Sequence, residues 1–223
     1  MAAARTLLAS ALLALVSAAA ALANAPTVRI LPADQAKAEA ALLRLKDFGV
    51  GWSGGPKKAS KLTAPGCPGF DPKESDLIVT GHAEANFTLA RALVTFNQDT
   101  QVLESAAAVQ TDFARTIQPK LSDCLAYELR SGSKGQVIDV KVAKLALPRF
   151  GSVSASYRAT LTIKSPPGGH LFKFVSDFIF FGQGRFEYSV NVLAPAVEGS
   201  QLLPFERGMV ETLLRRGASG NVA

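Results

Sequence analysis

The chain is predicted to fold as an α+β domain, a curved antiparallel sheet of about six strands with helices packed on one face. Two patterns point there. A hydrophobic period of two runs through residues 76–103 and 137–193, while helical spacing is confined to stretches before, between and after them. The links in the second half are of hairpin length, which requires antiparallel neighbours. The 223 residues suffice for one ordinary domain, and 48% hydrophobic content excludes a disordered chain.

An extended lead over residues 27–31 precedes a helix opened by Pro32 and Asp34, with Asp34 as N-cap and Leu42, Leu45 and Phe48 on its inner face. Gly49, Gly51, Gly54, Gly55 and Pro56 stop it and begin a loop to residue 72, long enough to need a tether. Leu77, Val79, Ala83, Ala85 and Phe87 then alternate with Ile78, Thr80, His82, Glu84 and Asn86 as a half-buried strand, and a second strand runs from Leu93 towards Leu103. Ser105 caps a helix whose face is Val109, Phe113 and Ile117, and Pro119 breaks it. A second helical piece over 120–130 carries Leu121, Leu125 and Leu129, with Cys124 among them.

A meander follows. Residues 137–147 form a strand that turns at 148–151 into the clearest alternation of the chain, Val153, Ala155, Tyr157, Ala159, Leu161 and Ile163 against Ser154, Ser156, Arg158, Thr160, Thr162 and Lys164. Pro166-Pro167-Gly168-Gly169 leads into a strand apolar on both faces, with Phe172, Phe174, Phe178 and Phe180 on one and Val175, Ile179 and Phe181 on the other. A tight turn at Gly182-Gln183-Gly184 gives the last strand, with Phe186, Tyr188, Val190 and Val192 inward, and a helix over 204–216 uses Phe205, Met209 and Leu213.

The N-terminus reads as a secretory signal: Arg5, then an apolar run through Leu7, Leu8, Leu12, Leu13, Leu15 and Val16, then small residues with cleavage after Ala23. An uncleaved anchor is the competing reading, at the short edge of a membrane span. Export implies an oxidising compartment, where Cys67 and Cys124, the only cysteines, are most economically read as one disulfide, with two buried thiols as the alternative. The net charge of +6 favours peripheral contact with anionic envelope surfaces but is too diffuse for nucleic acid.

Each candidate for chemistry has a plainer counterpart. Gly51-Trp52-Ser53-Gly54-Gly55 spells G-x-S-x-G, with His170 as a conceivable base, yet it follows a helix and enters a glycine-rich loop, where a nucleophile elbow needs a strand-to-helix turn. His82 and Glu84 share a strand face as a general-base pair would, against the reading of a solvated face. Lys57, Lys58 and Lys61 suit anionic headgroups, or serve only to solubilise a loop. No spacing matches a metal or cofactor pattern, so no catalytic, metal or cofactor residue is assigned. Phe172, Phe174, Phe178, Phe180 and Tyr188 are the candidate lining of an apolar ligand cleft, against core packing.

The helix of residues 106–117, the run Pro119-Lys120-Leu121-Ser122-Asp123-Cys124-Leu125, the strand-turn-strand Phe178-Ile179-Phe180-Phe181-Gly182-Gln183-Gly184-Arg185 and the closing helix of 205–216 together resemble the extracytoplasmic sensor-like domain of actinobacterial Ser/Thr kinases of the PknH type and of related exported lipoproteins. The resemblance spans residues 76–216 and implies a ligand-binding fold with a cleft; no catalytic residues carry over. This chain differs from the resembled domains in showing no kinase domain, no lipidated Cys near the cleavage region, and cysteines for one disulfide at most, where the resemblance implies two.

The expected organisation is a signal at 1–23, an N-terminal helix and disulfide-tethered loop at 24–75 and the sensor-like domain at 76–216, with 24–223 one globular unit. The expected function is a secreted, non-enzymatic binding or sensor-like domain for an apolar or lipid-like envelope molecule. A protein-interaction module on the envelope is the alternative, and a small serine hydrolase the third reading.

Overall fold

The computed structural model describes residues 24–64, 66–133, 136–164 and 169–219; the export segment and its cleavage position lie outside them. Strand β1 (Thr27–Val28) and helix α1 (Pro32–Ala41) lead through a 3-10 turn at Leu45–Asp47 to β2 (Ser53–Lys57), β3 (Ile78–Leu89) and β4 (Val94–Leu103). Helices α2 (Ala106–Thr116) and α3 (Leu121–Ser131) follow, then β5 (Val137–Lys144), β6 (Val153–Lys164), β7 (Leu171–Gln183), β8 (Phe186–Pro195) and helix α4 (Gly199–Ser219).

The strands form one open sheet in the order β1-β3-β4-β8-β7-β6-β5, with β2 sharing the outer edge of β3 with β1. Every pair is antiparallel except β1 with β3. The α+β class is therefore as expected, with eight strands where about six were predicted. The additional ones are short. β2, with the sequence Ser-Gly-Gly-Pro-Lys, reads as a loop by propensity, yet Gly54 (φ 120°) lets its backbone lie flush on β3, where a Cβ would strike the Asn86 carbonyl.

The helices divide between both faces of the sheet rather than covering one. Neighbouring residues of β7 show this, because side chains alternate along a strand. Ile179 and Phe181 join the large core with Val210 and Leu213 of α4, and α1 adds Ala38 and Ala41. Phe180 points the other way, to Val109 and Phe113 of α2, and Phe178 packs with Leu121 and Cys124 of α3. A strand apolar on both faces is what such a two-sided cover demands.

The first helix ends at Ala41 instead of continuing to Phe48. Leu42 is extended (ψ 142°), and the Gln98 side chain accepts the Leu43 N–H at 2.9 Å in place of a helical carbonyl. Leu31, not Asp34, holds the cap position. Asp34 is instead buried, where Arg185 donates to it at 2.5 Å and Thr80 at 2.7 Å. Burial raises its pKa, but those hydrogen bonds and the Arg185 charge outweigh burial and hold the carboxyl below its ordinary value. The closing helix starts at Gly199, earlier than expected, with Pro204 inside it.

Cys67 and Cys124 form a disulfide (Cα–Cα 5.3 Å) that pins the long loop to α3 beside Phe70, Leu121 and Tyr157. Closing that loop stabilises the fold by about 4 kcal/mol on the chain-entropy model. A disulfide suits an oxidising, extracytoplasmic environment. Among the described residues no helix is long and apolar enough to cross a membrane.

Candidate functional site

A cavity of about 660 Å³ lies where β5 leaves the sheet. Lys144, the last residue of β5, pairs with Tyr157, so β6 from Val153 to Ser156 has no strand on that side. The connecting segment 145–152 folds over instead and leaves a groove against α2. Val153, Ala155 and Tyr157 form one wall, and Phe113, Ala114 and Ile117 the other. Leu147, Pro148 and Phe150 come from the connection, and Lys144 and Arg149 stand at its rim. The size falls in the range of small-molecule sites.

Serine hydroxyls hold the connection in place. Ser156 donates to the Leu145 carbonyl at 2.8 Å, and Leu145 N–H donates to the Ser156 carbonyl at 2.9 Å. Ser154 accepts the Phe150 N–H at 3.1 Å, and Ser152 donates to the Gly182 carbonyl at 3.0 Å. Gln110 of α2 donates to Ser152 Oγ at 3.1 Å, tying the two walls together. Tyr157 is buried at the base, and that burial raises its phenol pKa. The groove is thus preformed, lined by apolar and polar side chains in nearly equal measure, and edged with cations.

The five aromatics proposed as a cleft do not line this groove, and they do not share one surface. Phe178 and Phe180 pack with Ile117, Ala155 and Tyr157 and so back it from behind. Phe174 belongs to a neighbouring cluster with Ala159 and Leu161, and Phe172 is half exposed. Tyr188 lies on the opposite face, stacked on Phe181 at 4.7 Å between ring centres, because the β7–β8 register places it beside that residue. What the sequence reading missed is the connection itself. Leu145, Leu147 and Phe150 are apolar within a link too long for a tight hairpin, a signal that it covers something.

His82 and Glu84 are buried rather than solvated. Lys57 pairs with Glu84 at 2.6 Å, and Ser60 donates its N–H to the same carboxylate at 2.6 Å, bringing the tethered loop down over the strand. His82 Nε2 lies 2.7 Å from Asp99 and 3.6 Å from Glu84. Burial opposes the imidazolium, but the Asp99 hydrogen bond and both carboxylate charges outweigh it and raise the His82 pKa. Burial also raises Glu84, and the Lys57 and Ser60 contacts reverse it to a lowered pKa. Among the described residues this is the one group of three with the reach to ligate a metal ion, its donor atoms lying within 4.8 Å of one another. Within it His82 is held by Asp99, and Glu84 is held by Lys57 and Ser60 from the loop, so the cluster is closed as a latch.

Ser53 is exposed on β2, and its hydroxyl reaches only the Thr88 carbonyl at 3.4 Å. His170 precedes β7, which is separated from β2 by β3, β4 and β8, so the structure does not bring Ser53 and His170 together. The glycines of the motif serve the strand, Gly54 above all. Of the loop lysines, Lys57 is spent on Glu84, and Lys58 and Lys61 are exposed.

A second buried ionic group lies under α4. Arg158 donates to Asp177 at 2.6 Å, and Glu206 sits beside them, fully buried with no donor to either oxygen. Burial, then the hydrogen bond to Asp177 and its charge, push the Glu206 pKa up to about 9 against the pull of Arg158. A protonated Glu206 donates to Asp177, which removes the unpaired charge from the core.

Comparison with known proteins finds no matching family model and no matching curated sequence.

Proposed function

We propose that this protein is a secreted, non-enzymatic ligand-binding or sensor-like domain of the bacterial cell envelope, its signal peptide removed after Ala23, and that an apolar or amphipathic envelope molecule occupies the groove between α2 and the 145–152 connection. The observation that carries this is a preformed cavity of about 660 Å³ whose lining joins apolar side chains to polar ones in nearly equal measure, as an amphipathic ligand requires. The disulfide beneath it supports export, and the resemblance to PknH-type sensor domains points to the same class. Neither motif candidate favours catalysis: Ser53 stands apart from His170, and His82 is engaged by carboxylates.

Native mass spectrometry of the secreted protein, before and after denaturation, tests this reading. An added mass that vanishes on denaturation supports it, and the intact mass reports the cleavage position. A ligand-free protein that also takes up nothing from an envelope-lipid extract would remove the carrier role.

The interaction-module alternative has its own support in Leu171 and Phe172, which stay exposed at the start of β7. Recovery of one reproducible envelope protein, lost in Phe172→Ser, would favour it over the groove.

A further inference from the structure

We infer that the groove's ligand is a single-chain amphiphile with an anionic head, a carboxylate or phosphate monoester, held by Lys144 and Arg149. This rests on the groove being the binding site proposed above and adds the chemical class of its occupant.

The argument is one of charge placement. The lining of the groove includes two cations, Lys144 and Arg149, and no carboxylate. Neither cation makes an ion pair among the described residues. The arginines that lock the fold are different, since Arg158, Arg185 and Arg216 each meet an aspartate. Arg149 is turned back only onto the Ser152 carbonyl, a neutral acceptor that leaves its charge uncompensated. Both cations are exposed, so their charge stays available to a ligand at little desolvation cost.

Position matters as much as sign. Lys144 sits level with Tyr157, and Arg149 reaches Ser152, at opposite ends of the β6 wall. At the rise of a strand these points are roughly 16 Å apart. Between them Val153, Ala155, Phe113 and Ile117 present hydrocarbon, and the Ser154 and Ser156 hydroxyls that lie among them are bonded to the connection. A linear chain lying along this wall brings its head to a cation in either direction, and its tail displaces water from apolar surface. A cationic head would meet like charge at both ends. A neutral head would leave both cations without a partner.

Isothermal titration of the full secreted protein, stripped of bound material, with dodecanoate, dodecyl phosphate and dodecanol tests the inference. The anionic chains are expected to bind about tenfold or more tighter than the alcohol, the worth of one charge-assisted contact. Lys144→Gln with Arg149→Gln should bring the anions down to the level of dodecanol and leave dodecanol unchanged. Both positions are on the surface, so folding is preserved. Ala114→Trp, which fills the groove from the exposed side of α2, should abolish binding of all three.

Equal binding of anion and alcohol, unchanged by the double substitution, would overturn the anionic head and leave the groove intact as an apolar site. Failure of every chain to bind would remove the groove reading together with this one. Inorganic phosphate binding as tightly as dodecyl phosphate, or anionic vesicles binding while free chains do not, would also overturn it by making the cations a surface patch rather than part of a chain-binding site.

Discussion

Beneath α1 and α4 the sheet presents Phe87, Phe96, Ile179, Phe181, Tyr188 and Val190 as one continuous apolar cluster, whereas beneath α2 and α3 its apolar residues fall into three smaller ones. The first face is closed by aromatic contacts, with Trp52 stacked on Phe205 and Phe48 against Phe87 at 4.2 Å between ring centres. Both faces bury polar side chains, Gln98, Asp177 and Glu206 on the first, but on the second they stand between separate apolar clusters. His82, Glu84 and Asp99 lie at one end of it, and Glu187 further along faces Asp112; burial, then that facing carboxylate, push Glu187 well above the ordinary range. The first face holds the larger apolar cluster. The second, divided into smaller ones, carries the disulfide and one wall of the groove, which Phe150 and Ile179 of the first cluster complete.

The sharpest way to break this contrast is to delete one ring from each face. Phe96→Ala should cost about 3–5 kcal/mol, because Phe96 is fully buried in the continuous cluster. Phe178→Ala, half-buried behind the groove, should cost roughly half as much. Urea denaturation of both variants measures the difference, and equal losses would mean that the two faces contribute alike.

Removing the tether comes next in size. Cys67→Ala with Cys124→Ala should lower stability by about 2–4 kcal/mol and expose the 58–72 loop to limited proteolysis, with the α1–α4 face still folded. A cleavage pattern identical to the disulfide form would show that the Lys57–Glu84 latch alone holds the loop.

A smaller effect, readable as a pH profile, concerns the first face. Glu206 titrates near 9 in the fold against 4.5 in the unfolded chain, so between those values the folded state keeps a proton that the unfolded state has released. Stability is greatest below that window and falls as pH rises through it. Glu206→Gln keeps the hydrogen bond to Asp177 without the titration, so its melting temperature should decline less than that of the natural protein between pH 5 and pH 9. Parallel profiles would mean that Glu206 ionises freely. The smallest expected effect is that of Ser53→Ala, within about 0.5 kcal/mol, as for an exposed residue without a strong contact.

What could be read from the sequence divides along the same line. The long strands, the helix over α2 and the disulfide partners are local or compositional signals, and the alternation in β6 survives intact. The two apolar faces of β7 already contained the two-sided cover, but no local pattern says which helix takes which face. β2 escaped because Gly54, Gly55 and Pro56 mark a loop, and only the close approach to Asn86 turns them into a strand. Tyr188 stands apart from Phe172, Phe174, Phe178 and Phe180 because a two-residue turn decides which residues lie side by side, and here it pairs Tyr188 with Phe181. The groove depends on the 145–152 connection meeting α2, a contact between segments about thirty residues apart that no spacing rule reveals.

Amide NMR shifts of the labelled protein titrated with envelope-lipid extract test the central claim most directly. The account predicts perturbations concentrated at residues 110–117 and 144–157, absent in Ala114→Trp. Shifts confined to other exposed apolar positions, such as Leu93 or Phe172, would contradict it.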